Sequence, residues 1–255
     1  MRFRSLGSGS RGNATLVEYQ SDALLIDSGF SRKVMLQRLD EAGLEPQLLR
    51  AALVTHEHSD HAKGIQSLCE HLNIPFYASF GTARKMDWTG HALWRCLISD
   101  QAVNIGGMQV TPVVVPHDAH EPLQFVIQSA EGRRLGILSD LGTLTPHILN
   151  HYSNCHALQV EANHDSVMLA NGPYPPSLRA RVAGAYGHLS NEQCAEFIRS
   201  VKWPGLKYVT AGHISEKNND RNLVARVLAE AIGCSPHEVS LLAQDEMSDW
   251  VALND

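Results

Sequence analysis

At 255 residues the chain can bury a large core as one domain, and 44% hydrophobic with 19% charged residues is an ordinary globular composition. A formal net charge of −6 excludes a broadly basic surface for coating nucleic acid, although bound divalent ions would add charge that the formula omits. No stretch approaches the roughly 18 to 20 apolar residues of a membrane span, and MRFRSLGSGSRGN lacks a signal peptide's apolar region; five scattered cysteines without a Cys-x-x-Cys pair exclude a zinc ribbon and predict a reducing cytoplasm.

In chain order, ATLVEY and DALLIDSG read as two strands joined by a polar turn. SRKVMLQRLDEAG reads as a helix capped by Ser31 and stopped by Gly43. RAALVTH is a buried strand, a helix follows near residues 62–72, and IPFYAS is another strand. Residues 79–100 read as helix and loop. From residue 101 the pattern becomes hairpins, VNIGGMQVTPVVVPH and QFVIQSAEGRRLGILSD, with Gly-Gly and Glu-Gly as turn signals. ALQVEAN is a strand ahead of a helix-prone piece and the proline-rich NGPYPPS. SNEQCAEFIRSVK opens a helix on a Ser190-x-x-Gln193 capping box. LKYVTAGHIS is a strand, DRNLVARVLAEAIG a helix stopped by Gly233, and EVSLLAQ the last strand. The alternation predicts a layered α/β fold, residues 1–255 forming a single domain with sheets inside and helices outside.

The chemistry concentrates in THEHSDH, residues 55–61. Side chains two apart on extended backbone share a face, so His56 and His58 can grip one ion as they leave the strand. Asp60 and His61 follow as the chain turns into a helix and can face a neighbouring ion. Imidazole and carboxylate donors suit zinc, and manganese or iron less selectively. The alternative is a solvated polar loop. One short motif cannot complete two metal shells, so further ligands are expected at other strand ends. His117 ends VTPVVVPH, Asp140 ends RRLGILSD and His213 ends LKYVTAGH. Asp27, in LLIDSG, reads equally as a carboxylate that orients the metal loop or as an Asx-turn with Ser28-Gly29.

The ordered stretches LLIDSG, THEHSDH, VPHDAH, ILSDLG and AGHIS resemble the metallo-β-lactamase superfamily. The resemblance implies an αββα sandwich of two similar halves with a dinuclear site at one edge. It assigns His56, His58 and His117 to a first metal and Asp60, His61 and His213 to a second, with Asp140 bridging. GSGSRGN, HDAHEP, EANHD, GHLSN and GHISEKNN are similar to the WalJ/YycJ-type group, regarded as nucleases with 5′-to-3′ exonuclease activity on DNA. A more distant similarity to tRNase Z, carried by GHLSN and VEAN, implies that His188 pairs with Glu161 to assist catalysis, although Asn163 and His164 depart from that family's glutamate segment.

The implied function is a dinuclear metal-dependent phosphodiesterase using a metal-activated hydroxide, with nucleic acid as substrate. Asp60 would orient the nucleophile or take its proton, and His188 would protonate the leaving oxygen. The alternatives are a small cyclic or nucleotide phosphodiesterase, a thioesterase of the glyoxalase II kind, and a metal-binding regulatory protein without turnover. GSGSRGN has the glycine spacing of a P-loop, but Asn13-Ala14 replaces the required Lys-Ser/Thr, which predicts a tight turn near the site. Arg179 and Arg181 read as solvated helix residues or phosphate contacts, and His120 and His164 as bystanders beside the motifs.

Overall fold

Successive residues of DALLI point to opposite sides of a sheet, and both sides are apolar. Leu24 and Ile26 enter one hydrophobic layer, Ala23 and Leu25 another. A strand buried on both faces belongs inside a sandwich. The computed structural model describes residues 1–253.

The first part of the chain runs β1 (Arg2–Gly7), β2 (Ala14–Tyr19), β3 (Asp22–Ile26), α1 (Arg32–Glu41) and β4 (Leu49–Leu53). It continues through α2 (Ser59–Ala62), α3 (Ile65–Leu72), β5 (Phe76–Ser79), α4 (Phe80–Lys85) and β6 (Trp94–Leu97). Then come β7 (Val103–Ile105), β8 (Met108–Val114), β9 (Leu123–Ser129), β10 (Arg134–Leu138), α5 (Pro146–Tyr152) and β11 (Ala157–Glu161). The remainder is α6 (Ser166–Asn171), α7 (Pro176–Val182), α8 (Asn191–Val201), β12 (Tyr208–Gly212), α9 (Arg221–Ile232), β13 (Ser240–Leu241) and β14 (Val251–Ala252).

Among the described residues the strands form two seven-stranded sheets, ordered β14-β1-β2-β3-β4-β5-β6 and β13-β12-β11-β10-β9-β8-β7. Each sheet carries three antiparallel pairings on one side and three parallel ones on the other. Phe3, Val17, Leu24, Leu53, Phe125, Ile127 and Ile137 fill the space between the sheets. Met35, Leu39 and Leu68 pack helices α1 and α3 on the first sheet, while Ile148, Phe197 and Leu228 pack α5, α8 and α9 on the second. The architecture is the expected αββα sandwich. No helix among the described residues is long and apolar enough to cross a membrane.

Several elements differ from expectation. The helix expected near residues 62–72 is split into α2 and α3 around Gly64, whose added Cβ would lie 2.1 Å from the Phe30 carbonyl oxygen. Residues 79–100 contain a strand, β6, beyond their helix and loop. EVSLLAQ supplies only the two residues of β13 and is not the last strand, because β14 returns to pair with β1. The proline-rich NGPYPPS leads into a helix not anticipated there, with Pro176 opening α7. The short helix α5, capped by Thr145 with Pro146 in its first turn, carries no strong periodic signal.

The placement of the loops follows from strand direction. Strands β3, β4, β8, β10, β11 and β12 all run their carboxyl ends toward one edge of the sandwich, where Asp27, His56, His117, Asp140, Glu161 and His213 emerge. The carboxyl edge of a parallel sheet is where α/β folds place ligands.

Candidate metal centre

Strand β4 delivers the histidine loop into a scaffold already made by its neighbours. Asp27 accepts hydrogen bonds from Thr55 N (2.8 Å, Oδ1) and Thr55 Oγ1 (2.8 Å, Oδ2). Asn13 N donates to the Asp60 carbonyl and Ser28 N to the His61 carbonyl, each at 2.8 Å. Gly29 lies so close beneath this loop that an added Cβ would stand 1.8 Å from the Asp60 carbonyl oxygen. Gly29→Ala is therefore expected to cost about 3 kcal/mol of stability in a denaturant titration. A variant within about 0.5 kcal/mol of the parent would show that the loop moves freely.

Three of the predicted ligands have their outer ring nitrogen held by the protein. His56 Nδ1 lies 3.0 Å from Thr55 Oγ1, His61 Nδ1 2.7 Å from Asp27 Oδ2, and His117 Nδ1 3.1 Å from the Gly187 carbonyl. Each contact leaves Nε2 facing inward, and such outer partners are what orient metal-binding imidazoles. Asp27 thus does more than form a local turn: it braces both Thr55 and His61. Its φ of +62°, with +50° at Asp140 and +51° at His213, puts three residues of this edge in left-handed backbone as they leave their strands.

The inward atoms form two sets. His56 Nε2 is 3.0 Å from His58 Nδ1, which is 3.3 Å from His117 Nε2. Zinc–nitrogen bonds of about 2.05 Å at tetrahedral angles would put neighbouring donors about 3.3 Å apart, so this set fits a zinc-sized cation. In the second set, Asp60 Oδ2 lies 3.6 Å from His61 Nε2 and 3.8 Å from His213 Nε2. Asp140 sits between the sets. Its Oδ2 is 2.8 Å from His61 Nε2, its Oδ1 is 2.7 Å from His213 Nδ1, and it groups with His56 as well. His213 Nδ1 makes no hydrogen bond of good geometry despite that approach. All seven predicted ligands therefore converge.

Glu161 and His188 meet as the similarity to tRNase Z implies. His188 Nδ1 is 3.1 Å from Glu161 Oε2 and 3.2 Å from Asp140 Oδ1. The other Glu161 oxygen accepts from Leu141 N (2.9 Å) and Leu189 N (3.0 Å), so one buried carboxylate pins both the Asp140 turn and the His188 segment. Burial opposes the charge of His188, but Glu161 and Asp140 outweigh it and push its pKa up to about 10. Burial likewise opposes ionisation of Glu161, yet His188 brings it down to about 2. His61 and His213 follow the same pattern: desolvation pulls them down, but Asp140 dominates, holding His61 well above the ordinary range and His213 at about 9. His56 lacks such a direct carboxylate partner, and burial drives it well below.

Asp118 is the residue that sequence reasoning missed. Its Oδ1 lies 3.4 Å from His117 Nε2 and 4.0 Å from His58 Nε2, and it pairs with Arg181. Its position directly after His117 in VPHDAH was the available signal. Arg181, Lys217, Tyr174 and Ser10 join Asp60 and His188 around a cleft of about 380 Å³ over the cluster. Arg179 points elsewhere, to the Ala170 carbonyl. His120 is exposed and pairs with Glu57, and His164 is buried outside the donor sets. GSGSRGN is a turn at the edge of the site, where Ser8 Oγ accepts from His213 N at 2.8 Å.

The chain matches the profile of the Beta-lactamase superfamily domain over residues 23–214. It is 31% identical over 241 residues to exodeoxyribonuclease YycJ of Bacillus anthracis, with 90% of each chain covered. Among solved structures it resembles the metallo-β-lactamase fold protein YhfI of Bacillus subtilis at 12% identity and a TM-score of 0.74, covering 97% of this chain and 99% of that one. Human tRNase Z, short form, aligns at 15% identity and a TM-score of 0.65 over 98% of this chain and 99% of its own. The two structures speak to fold alone, while the profile and the YycJ alignment establish descent. The chain belongs to the metallo-β-lactamase superfamily.

Proposed function

We propose that the protein is a dinuclear metal-dependent phosphodiesterase that degrades DNA as a 5′-to-3′ exonuclease. The observation that carries the proposal is Asp140, a buried carboxylate that groups with His56 of one donor set and approaches His61 and His213 of the other. The identity to an exodeoxyribonuclease along nine-tenths of the chain supports the substrate class. His56, His58 and His117 would hold one divalent ion and Asp60, His61 and His213 the other, with Asp140 between them; zinc suits these donors best. When bound, the ions lower the pKa of water to about 7 and offset charge on the phosphodiester oxygens.

The chain's own groups do the rest. Asp60, at the cleft, orients the attacking water and accepts its proton. His188 has Nδ1 occupied by carboxylates, so Nε2 is the position from which it protonates the departing oxygen. Glu161 keeps that imidazole charged and fixes its angle. Arg181 and Lys217 offer positive charge to the flanking phosphates along the cleft. A cytoplasmic setting, expected from the scattered cysteines, belongs to the same proposal.

Zinc- or manganese-loaded protein assayed on DNA labelled at either end tests it. Release of the 5′ label as a short product from the first turnovers is expected, with the 3′ label persisting in long fragments. A small nucleotide diester is the second substrate class, favoured by the net charge of −6 and the modest cleft. Rapid hydrolysis of small diesters with no cleavage of DNA or RNA would overturn the nuclease assignment.

A further inference from the structure

Helix α5 carries two histidines one turn apart, His147 and His151, and residues four apart share a helix face. The helix is set by local chemistry: Thr145 caps it, Pro146 opens it, and Arg134 Nη2 donates to the His151 carbonyl at 2.8 Å near its end. Facing the pair is Asp100, in the connection between β6 and β7, where the chain passes from one sheet to the other. Asp100 is itself fixed. Its N–H donates to the Pro112 carbonyl at 2.9 Å and its φ is +66°. Ser99 Oγ donates to its Oδ2 at 3.3 Å and accepts from Val114 N at 3.1 Å.

Oδ2 is thus engaged by the turn, while Oδ1 faces the helix. It stands 2.8 Å from His151 Nε2 and 3.3 Å from His147 Nε2. The two rings are 4.6 Å apart at 64°. His147 Nε2 is buried from solvent and makes no hydrogen bond, so the approach to Asp100 is one of distance without donor–acceptor alignment. A pair held together only by a shared proton would be expected to align. One oxygen and two imidazole nitrogens lie within 4.8 Å of one another, and none of the three residues belongs to the two donor sets or lines the cleft.

We propose that Asp100, His147 and His151 bind a further divalent cation of the zinc class, independent of the catalytic pair. Two imidazoles and a carboxylate are a common zinc ligand type, and of the edges of 3.3 and 2.8 Å one matches and the other falls slightly short of the roughly 3.3 Å span that tetrahedral bonds of about 2.05 Å require. The side chains are 38%, 25% and 51% exposed for His147, His151 and Asp100, which leaves room for water to complete the shell. Such an ion fastens the β6–β7 connection to α5. That helix begins six residues after Asp140, so the ion also anchors the far end of the segment carrying the shared carboxylate.

The test is ion stoichiometry of the full chain, stripped with chelator, reloaded with zinc and analysed for bound metal after buffer exchange. The double variant H147A/H151A should hold one ion fewer per chain than the parent and cleave DNA at the parental rate. The isosteric Asp100→Asn should weaken the same ion while leaving the helix untouched, which guards against misfolding of the double variant. In the Asp140→Asn background, where the central ions are lost, the ion at α5 should persist and disappear only when H147A/H151A is added. Persistence of that ion would support this site even if the central assignment failed. Equal zinc content in the parent, H147A/H151A and D100N chains overturns the proposal.

Discussion

Asp140→Asn is expected to lose DNA cleavage by about a thousandfold or more, together with bound metal, because several kcal/mol of charge stabilisation disappear at about 1.4 kcal/mol per tenfold. The substitution is chosen for what it preserves. Asparagine matches aspartate in shape and tolerates left-handed backbone, so the φ of +50° is retained. What changes is charge and donor type at an atom pair that faces His61 on one side and His213 and His188 on the other. Ion content by elemental analysis and initial rates on labelled DNA are the two readouts. Parental turnover with parental metal content would remove Asp140 from the centre and with it the proposed sharing.

His188→Ala separates chemistry from metal retention. Turnover should fall by about 10²- to 10³-fold, the range of a lost general acid, while ion content stays at the parental level. His188 touches Asp140 and Glu161 through Nδ1 but stands outside the seven proposed ligands. Its removal leaves Glu161 still bonded to Leu141 N and Leu189 N, so the Asp140 turn keeps its brace. Loss of metal in this variant would make His188 a ligand and its catalytic assignment wrong. A leaving group that needs no proton, such as a nitrophenolate, should recover much of the lost rate.

The seven converging donors were legible because each follows an apolar strand, Asp60 and His61 from the helix that opens just after β4, and strands with the same direction in two facing sheets deliver their ends to one edge. Local periodicity reports a strand, and the resemblance reports its order. The misses have a common origin in contacts remote along the chain. Strand β6 is an edge strand whose exposed residues give no alternating signal, and β14 is two residues whose meaning lies in pairing with β1 at the opposite end of the sequence. Asp118 reads as loop polarity until Arg181, 63 residues away, is placed beside it. The matched layout of the two sheets leaves no repeat in the amino acids, since only direction and order are shared. Asp27 was legible as a choice between two roles, and only the approach of Thr55 and His61 decides between them.

Asp27, Asp140 and His213 have a consequence beyond the reaction. Each occupies a backbone region that costs a non-glycine residue about 1 kcal/mol or more, and each carries a side chain of the proposed centre or its brace. Backbone strain is thus stored at this edge as it is at several other turns of the chain. Glycine at Asp140 or His213 would relax the chain while emptying the proposed centre, whereas at Asp27 it would also strip two hydrogen bonds from Thr55. Durability and activity pull this protein in opposite directions at the same few residues.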